Sequence, residues 1–412
     1  MTIRWITDRL GTSPWCEGLN SVGCTVVDVR MLRDQSGNSP NTVRAKISEV
    51  LDSLKGEKPV VVCCDYGISR SNAIAAAALA EELGIDLGEG LRLVIEATGE
   101  TEIKIDFVED IRQVMKLKQR APNNKPLILG VRSLNGRTFK HSESSEILFA
   151  DPVDDDAVIE NPILLDITLD ALTPNNIIFC WRPSGLNTNR AIGQLITALR
   201  NVLEICRTRQ IGLIFLSGYQ VFSGHQGIGL VSFSKDQHLH PTGAVGDGLF
   251  MAEGLIWLYK ERYGIKVTIV RTTHVYGPED NSPGILNTFI RKAIAGEKIV
   301  THRFENGVPY IDLLHVKDIN RLLIDVASSG FEGVVHAASD NPITTYELAQ
   351  LIVNKAGSKS LITSIQMPNN YSTVHLDTSF TRITLDWKPV ITLDHGLDNL
   401  IAYHASIKEQ HD

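Results

Sequence analysis

Cysteine is scarce in this chain, with six in 412 residues. That is too few for a disulfide scaffold, so reduced thiols in a cytoplasmic protein are expected. Long apolar runs are missing as well. No stretch approaches the ~20 apolar residues of a membrane span. The opening MTIRWITDRLGTSPW carries charges where a secretion signal needs an apolar core. Positive charge is not in excess either. Lys+Arg 40 against Asp+Glu 48 gives a formal net charge of -8. This argues against general electrostatic binding to nucleic acid and leaves room for a local basic pocket. Internal repeats and low-complexity tracts are absent. The expected partners therefore include neither nucleic acid nor membrane.

What remains is a globular composition, 43% hydrophobic and 21% charged. At roughly 150 residues per domain, the length implies two or three domains. KLKQRAPNNKP (116–126) joins a basic run to prolines and an Asn-Asn pair, which exclude helix and favour a turn. It divides the chain into a first domain at 1–121, a linker at 122–126 and a second domain at 127–412. In the first domain CTVVDVRML (24–32) and KPVVVCC (58–64) read as buried strands. Between them TVRAKISEVLDSL (42–54) has the apolar spacing of an amphipathic helix, and NAIAAAALAEELG is a strong helix former closed by Gly84. This order predicts a compact α/β domain. In the second domain the strand candidates are PLILGV (126–131), EILFAD (146–151), NPILLDI (161–167), NNIIFCW (175–181), IGLIFLS (211–217) and KVTIVRT (266–272). With helices at 190–209 and 248–264 they predict a doubly wound parallel sheet, Rossmann-like, followed by a small C-terminal lobe.

The segment VVVCCDYGISRSNAIAAAAL sets Cys64, Gly67, Arg70 and Ser71 between a strand and a helix. A thiolate at the strand end could attack phosphorus. The N–H groups of Asp65, Tyr66, Gly67, Ile68, Ser69 and Arg70 would face the phosphate oxygens, with Gly67 permitting the bend. Arg70 could bind two oxygens with its planar fork and depress the Cys64 pKa. Ser71 could assist departure of the sulfur. The alternatives are a buried strand-end cysteine with a capping arginine, and a phosphate-binding pseudophosphatase.

Over about residues 1–120 the chain resembles the cysteine-dependent dual-specificity phosphatases of the protein tyrosine phosphatase superfamily. WITDRLGTSPW is similar to that family's opening segment. The resemblance implies Cys64 as nucleophile, Arg70 as phosphate clamp and Asp34, 30 residues upstream, as general acid. Asp28 is the second choice for the acid. Cys63 stands where the family has histidine. Asp65 and Ile68 stand where members acting on polyanionic lipids carry lysines. A phosphorylated small molecule or a phosphoprotein is the implied substrate, and no cofactor is required.

Over roughly 127–405 the chain resembles the NAD-dependent epimerase/dehydratase family, the extended short-chain dehydrogenases. The carrying phrases are LLDITLDAL with NNIIFCW as third and fourth strands, GLIFLSGYQVFSG, KVTIVRTTHVYGPED, VPYIDLLHVKDINRLL, GVVHAASDNPITTYELAQ and ITLDWKPVITLDHGL. With Glu253 aligned to the family's helix glutamate, Val245 takes the place of the catalytic tyrosine, Leu249 that of the lysine and Gly218 that of the serine. The glycine series reads Gly130, Ser133, Gly136, so its middle member is lost. Gly130, Gly136 and the strand-end Asp151 are the cofactor-binding candidates, and the damage argues against NAD(P) binding. His238 and His240 lack a third metal ligand at recognisable spacing, so no metal is expected. Gly243, Gly246 and Gly248 read as a flexible helix entry. The resemblance also implies a homodimer and a sugar-nucleotide ligand.

The leading expectation is a two-domain phosphoric monoester hydrolase working through phosphocysteine, fused to an epimerase-like domain that binds a ligand or dimerises without redox chemistry. The rivals are an NAD-dependent sugar-nucleotide epimerase or dehydratase with an altered site, and a non-catalytic phosphate-binding regulator.

Overall fold

The computed structural model describes the chain except residues 1, 22, 116–122, 142–146, 152–154, 184–185, 226, 279, 281 and 412. The basic part of the expected linker lies outside the described residues. Two compact units are present. Unit 1 comprises Met1–Asn124, Asp156–Asn175 and Arg200–Ile211, and unit 2 comprises Lys125–Asp155, Asn176–Leu199 and Gly212–Asp412. Both are α/β.

Unit 1 is built on a four-stranded sheet of β1 (Arg4–Trp5), β2 (Leu10–Pro14), β3 (Thr25–Asp28) and β4 (Val60–Cys64), ordered β1-β2-β4-β3. Every residue of β4 is buried, and β2 and β3 run parallel to it on either side. A strand covered on both faces needs the unbroken apolar run seen in VVVCC. Helix α1 (Pro40–Leu54) buries Val43, Ile47, Val50 and Leu54, the expected stripe, and has proline in its first turn. Helix α2 (Arg70–Leu83) is buried from Arg70 through Ala80 and ends on Gly84 at φ 67°. Its alanines let neighbours approach closely. A Cβ on Gly90 would stand 2.6 Å from the Ala76 carbonyl oxygen, so α3 (Leu87–Thr98) lies hard against α2. Helix α4 (Ile105–Met115) completes the N-terminal part.

Unit 2 centres on a six-stranded sheet. In chain order its first part is β5 (Leu127–Leu129), α5 (Leu134–His141) and β6 (Leu148–Phe149). The chain then forms α6 (Asp156–Glu160) and α7 (Pro162–Leu172), both counted in unit 1, before β7 (Asn176–Phe179). Helix α8 (Asn189–Arg209), β8 (Gly212–Gly218), β9 (Gly229–Phe233), α9 (Gly243–Tyr263) and β10 (Val267–Thr272) follow. Next come β11 (His274–Tyr276), α10 (Ile285–Ala295), β12 (Ile299–Arg303), β13 (Tyr310–Ile311), β14 (Leu313–His315), α11 (Val316–Ser329) and β15 (Gly333–Ala337). The sheet order is β15-β10-β8-β7-β5-β6, and all its pairings are parallel. Strand order reverses between β5 and β7, which places the ligand crevice of a doubly wound sheet at their carboxyl ends. Behind the sheet, α11 and Trp387 close one core. Helices α10, α12 (Thr345–Lys355) and the C-terminal α13 (Ser379–Leu385) and α14 (Leu393–His411) follow in the tail, where Leu286, Ile290, Leu348, Ile352 and Leu397 build a second core.

One expected strand is a helix. NPILLDI, with the LLDITLDAL likened to a family's third strand, forms α7. Asn161 caps it, its side chain accepting from the Ile163 and Leu164 amides, and Pro162 sits in the first turn. A short apolar run does not distinguish strand from buried helix by periodicity, and here the capping residues decide. The parallel sheet therefore stops at β6 among the described residues.

Candidate functional site

In unit 1 the Cys64–Ser71 segment bends around the sulfur. The Gly67 amide donates to Cys64 Sγ at 3.2 Å, and Ser71 Oγ lies 3.3 Å from it. Gly67 has φ 69°, and a Cβ there would stand 2.4 Å from the Pro14 nitrogen, so only glycine makes this turn. Most of the other polar groups are engaged, although the buried Arg70 Nε meets no hydrogen-bond partner. Arg70 Nη1 donates to the carbonyls of Arg30 and Leu32 at 3.0 and 2.8 Å, and Nη2 binds the Asp65 carboxylate. Asp34 accepts from Ser69 Oγ at 2.5 Å, and Ser69 in turn accepts from the Lys104 amide. Asp28 pairs with Arg30, which lowers its pKa. Cys64 is 2% exposed, and burial pushes the neighbouring Cys63 thiol up to about 12. Tyr66 points outward, 75% exposed. The loop thus supplies its own anion to the arginine, and an incoming dianion would have to displace Asp65.

In unit 2 the turn from β5 into α5 lies at the switch point. Gly130 has φ 105°, and a Cβ there would meet the Trp181 nitrogen at 2.5 Å. Gly136 packs so closely that a Cβ would meet the Gly130 carbonyl oxygen at 2.3 Å. These are the two tasks of the outer glycines in a dinucleotide turn, tight reversal and helix-on-strand packing. Ser133 occupies the middle position. Its hydroxyl donates to Gly130 O at 2.6 Å and accepts from Gly136 N at 3.1 Å, so it caps α5. The fully buried Asp155 accepts from the Gly130 and Val131 amides at 2.6 and 3.2 Å. Sequence reasoning gave Asp155 no role, because an aspartate beside other aspartates carries no local signal of burial. Asp151 follows β6 and borders residues that are not described.

The carboxyl ends of β7, β8 and β10 carry a second group of side chains. Glu253, on α9, accepts from Ser217 Oγ at 2.6 Å and from Arg271 Nη2 at 2.8 Å. Glu253 is 1% exposed and Arg271 3%. Arg182, just beyond β7, donates through Nη2 to the Leu216 carbonyl, while its buried Nη1 meets no hydrogen-bond partner. Burial pushes this guanidinium down to about 10. Gly218 and the buried Leu249 stand where the resemblance places serine and lysine. A Cβ on Gly218 would meet Gln220 Oε1 and lie 3.3 Å from Leu249 Cδ1. In the next residue, Tyr219 Oη lies 2.8 Å from His274 Nε2, with ring centroids 4.6 Å apart. Burial raises the Tyr219 phenol to about 12 and lowers His274. Neither residue was singled out in the sequence. The only local hint was a polar aromatic one or two residues after each of two apolar strand runs.

The other marked residues are structural. His238 and His240 surround His225, which bonds the His238 carbonyl at 2.7 Å and packs edge-on to His240. No group of three or more His, Cys, Asp or Glu side chains able to hold a metal occurs among the described residues. Gly243 opens α9, whereas Gly246 and Gly248 are buried inside it. A Cβ on Gly246 would meet the Gln220 carbonyl oxygen at 2.7 Å. The expected flexible entry is therefore a tight helix-to-turn contact. No helix among the described residues is long and apolar enough to cross a membrane.

Comparison with known proteins bears on these sites. Residues 187–375 match the family described as RmlD substrate binding domain. UDP-glucuronic acid decarboxylase 1 of Danio rerio is 24% identical over 174 residues, 41% of each chain, so this chain spans well under half of that relative. The fold is shared with dTDP-glucose 4,6-dehydratase of Bacillus anthracis, solved in complex with NAD (TM-score 0.60, 19% identity, 69% of this chain and 97% of that one). It is also shared with UDP-glucose 4-epimerase of Thermotoga maritima, solved with UDP-glucose (TM-score 0.57, 17% identity, 70% and 100%). The C-terminal part is thus RmlD-like, with an epimerase/dehydratase fold. These matches overturn the leading expectation of a cysteine-dependent phosphatase. The relatives are decarboxylases, epimerases and dehydratases of sugar nucleotides, and a separate phosphatase domain is not shown. The motif misled because its spacing is met by a turn whose arginine is neutralised from within by Asp65.

Proposed function

We propose that this protein acts on a sugar nucleotide in the manner of epimerases and dehydratases, with a nicotinamide dinucleotide at the β5–β7 crevice of unit 2. The observation that carries the reading is the β5–α5 turn, in which Gly130 and Gly136 each occupy a place that a Cβ would block. This reverses the expectation that the damaged glycine series argues against NAD(P). The neighbour from Bacillus anthracis, of the same fold, was solved with NAD. The serine that replaces the middle glycine turns its hydroxyl into the turn and caps the helix. Ser133 Oγ takes the Gly136 amide, and the amides before it in the first turn of α5 have no partners within a helix and can face a pyrophosphate.

The residues fit a dinucleotide in the turn but not at the reacting end, since Val245 and Leu249 supply no proton and no ribose contact. When bound, a nicotinamide supplies reversible hydride acceptance from a sugar carbon. The chain's own groups bind and orient the sugar nucleotide at the ends of β8 and β10. Arg182 offers an unpaired donor there. UDP-glucose in the Thermotoga maritima neighbour supports a nucleoside diphosphate sugar as the ligand class.

The test is calorimetric titration of purified, nucleotide-stripped protein with NAD+, NADP+, UDP-glucose and dTDP-glucose. Saturable binding of one dinucleotide and one sugar nucleotide, each with Kd below about 1 mM, is expected. Absence of heat and of Trp181-region fluorescence change with all four ligands refutes the reading.

A further inference from the structure

We propose that unit 2 carries an organic-phosphate site, separate from the β5–β7 crevice, in the cavity between the amino end of α11 and α14. The inference goes beyond the sugar-nucleotide reading and does not rest on it.

The chain puts His315 at the end of β14 and Lys317 in the first turn of α11. His315 caps that helix, its Nδ1 accepting from the Lys317 amide at 3.2 Å. His315 is 2% exposed. Burial, with Lys317 and His395 close by, lowers its pKa to about 4 against the pull of Asp318. The ring is therefore neutral at pH 7, and with Nδ1 accepting, its proton sits on Nε2. This buried N–H meets no hydrogen-bond partner among the described residues. Such a donor is costly unless an acceptor reaches it.

The ring geometry shows where that acceptor would lie. With Nδ1 turned to α11, the opposite ring edge faces Gly277 and α14. A Cβ on Gly277 would lie 3.8 Å from Nε2, and one on Gly396 would lie 3.0 Å from Cδ2. Pro278 and His395, the sequence neighbours of those glycines, line a cavity of about 530 Å³ together with His315 and Lys317. That volume suits a small organic ligand.

The charges select an anion. Lys317 is exposed and has no ion pair among the described residues. Asp318, in the same turn, is already engaged by Arg321 and by the amides of Val390 and Ile391. Asp394 and Asp398 of α14 are held by Lys355. The cavity therefore gathers donors: an ammonium, the His315 Nε2–H, the positive end of a 14-residue helix, and Asn399 on the facing helix. These donors come from two elements, so the three oxygens of a phosphate monoester answer them better than a planar carboxylate does. Ile391 and Tyr403 supply an apolar stretch of wall for the organic body.

The experiment is a ligand-observed NMR titration of the full chain with phenyl phosphate, inorganic phosphate, benzoate and benzyl alcohol. It compares wild type, Lys317→Gln and His315→Asn. Asparagine keeps an acceptor for the Lys317 amide and removes the Nε2 donor. Lys317 is exposed, so Lys317→Gln should melt like wild type and carries the test if His315→Asn is unstable. Phenyl phosphate should saturate with Kd below about 1 mM, with inorganic phosphate and benzoate at least about threefold weaker. Benzyl alcohol should not saturate below about 10 mM. Each variant should weaken phenyl phosphate at least about fivefold. Bound phenyl phosphate should slow amide exchange in the first turn of α11 and in α14. Failure of phenyl phosphate to saturate, or equal affinity in Lys317→Gln, overturns the site. Benzoate or benzyl alcohol binding as tightly as phenyl phosphate overturns the assignment to phosphate.

Discussion

The buried carboxylate of Glu253 ties α9 to β8 and β10, and its removal should be costly. It accepts one hydrogen bond from Ser217, at 2.6 Å, and is gripped by Arg271 through Nε at 3.2 Å and Nη2 at 2.8 Å. Both partners are almost wholly buried, so water cannot replace either. Removing one member of a buried ion pair strands the other charge and costs about 3–5 kcal/mol. Glu253→Gln keeps an acceptor oxygen and should fall near 3 kcal/mol, whereas Glu253→Leu should reach the upper end. At ~2–4 °C per kcal/mol for a domain of up to about 250 residues, this is a loss of roughly 6–12 °C for the glutamine variant. A chain of two units does not unfold in one step, so calorimetry should be joined to hydrogen exchange at the β8 and β10 amides. Glu253→Leu combined with Arg271→Met removes both charges and should recover stability to within about 1–2 kcal/mol of wild type. A cost below about 1 kcal/mol for Glu253→Gln, or no recovery in the double variant, would show that the pair is not energetically coupled.

Two further outcomes follow from the same unit. Gly130→Ala should lose about 2–4 kcal/mol, because φ is 105° and the new Cβ would meet the Trp181 nitrogen at 2.5 Å; dinucleotide affinity should fall with it, and wild-type values for both in titration and melting would contradict the assigned turn. His336 is buried with neither ring nitrogen hydrogen-bonded, and burial lowers its pKa to about 3. The unfolded state takes up this proton near 6.5 and the folded state does not, so stability is fully present above 6.5 and is lost as pH falls from there towards 3. His336→Phe should flatten the urea midpoint between pH 6.5 and 4 relative to wild type, and an unchanged slope would assign the titration elsewhere.

Much of unit 2 was legible from local pattern. Apolar runs marked β7, β8 and β10 and the helices α8 and α9, because strands and helices of that length print their pattern on the sequence. The run PILLDITL was misread since strand and buried helix look alike over so few residues, and the capping by Asn161 was overlooked. The replacement of serine, tyrosine and lysine by Gly218, Val245 and Leu249 followed from a resemblance alone. In unit 1 the spacing from Cys64 to Ser71 correctly foretold a turn around sulfur. The step from turn to phosphatase did not hold.

Chain order and residue chemistry alone determined that the protein is α/β, that parallel strands alternate with helices in its second half, and where glycine must stand. These are short-range matters of periodicity and backbone freedom. Only the tertiary structure decided which groups neutralise one another. Asp65 bonds Arg70, Asp155 holds the amides of Gly130 and Val131, and Tyr219 reaches His274 across 55 residues of chain. Electrostatic and hydrogen-bond partners are set by distances of about 3 Å in space. Sequence separation does not encode such distances until the strands that carry them have paired.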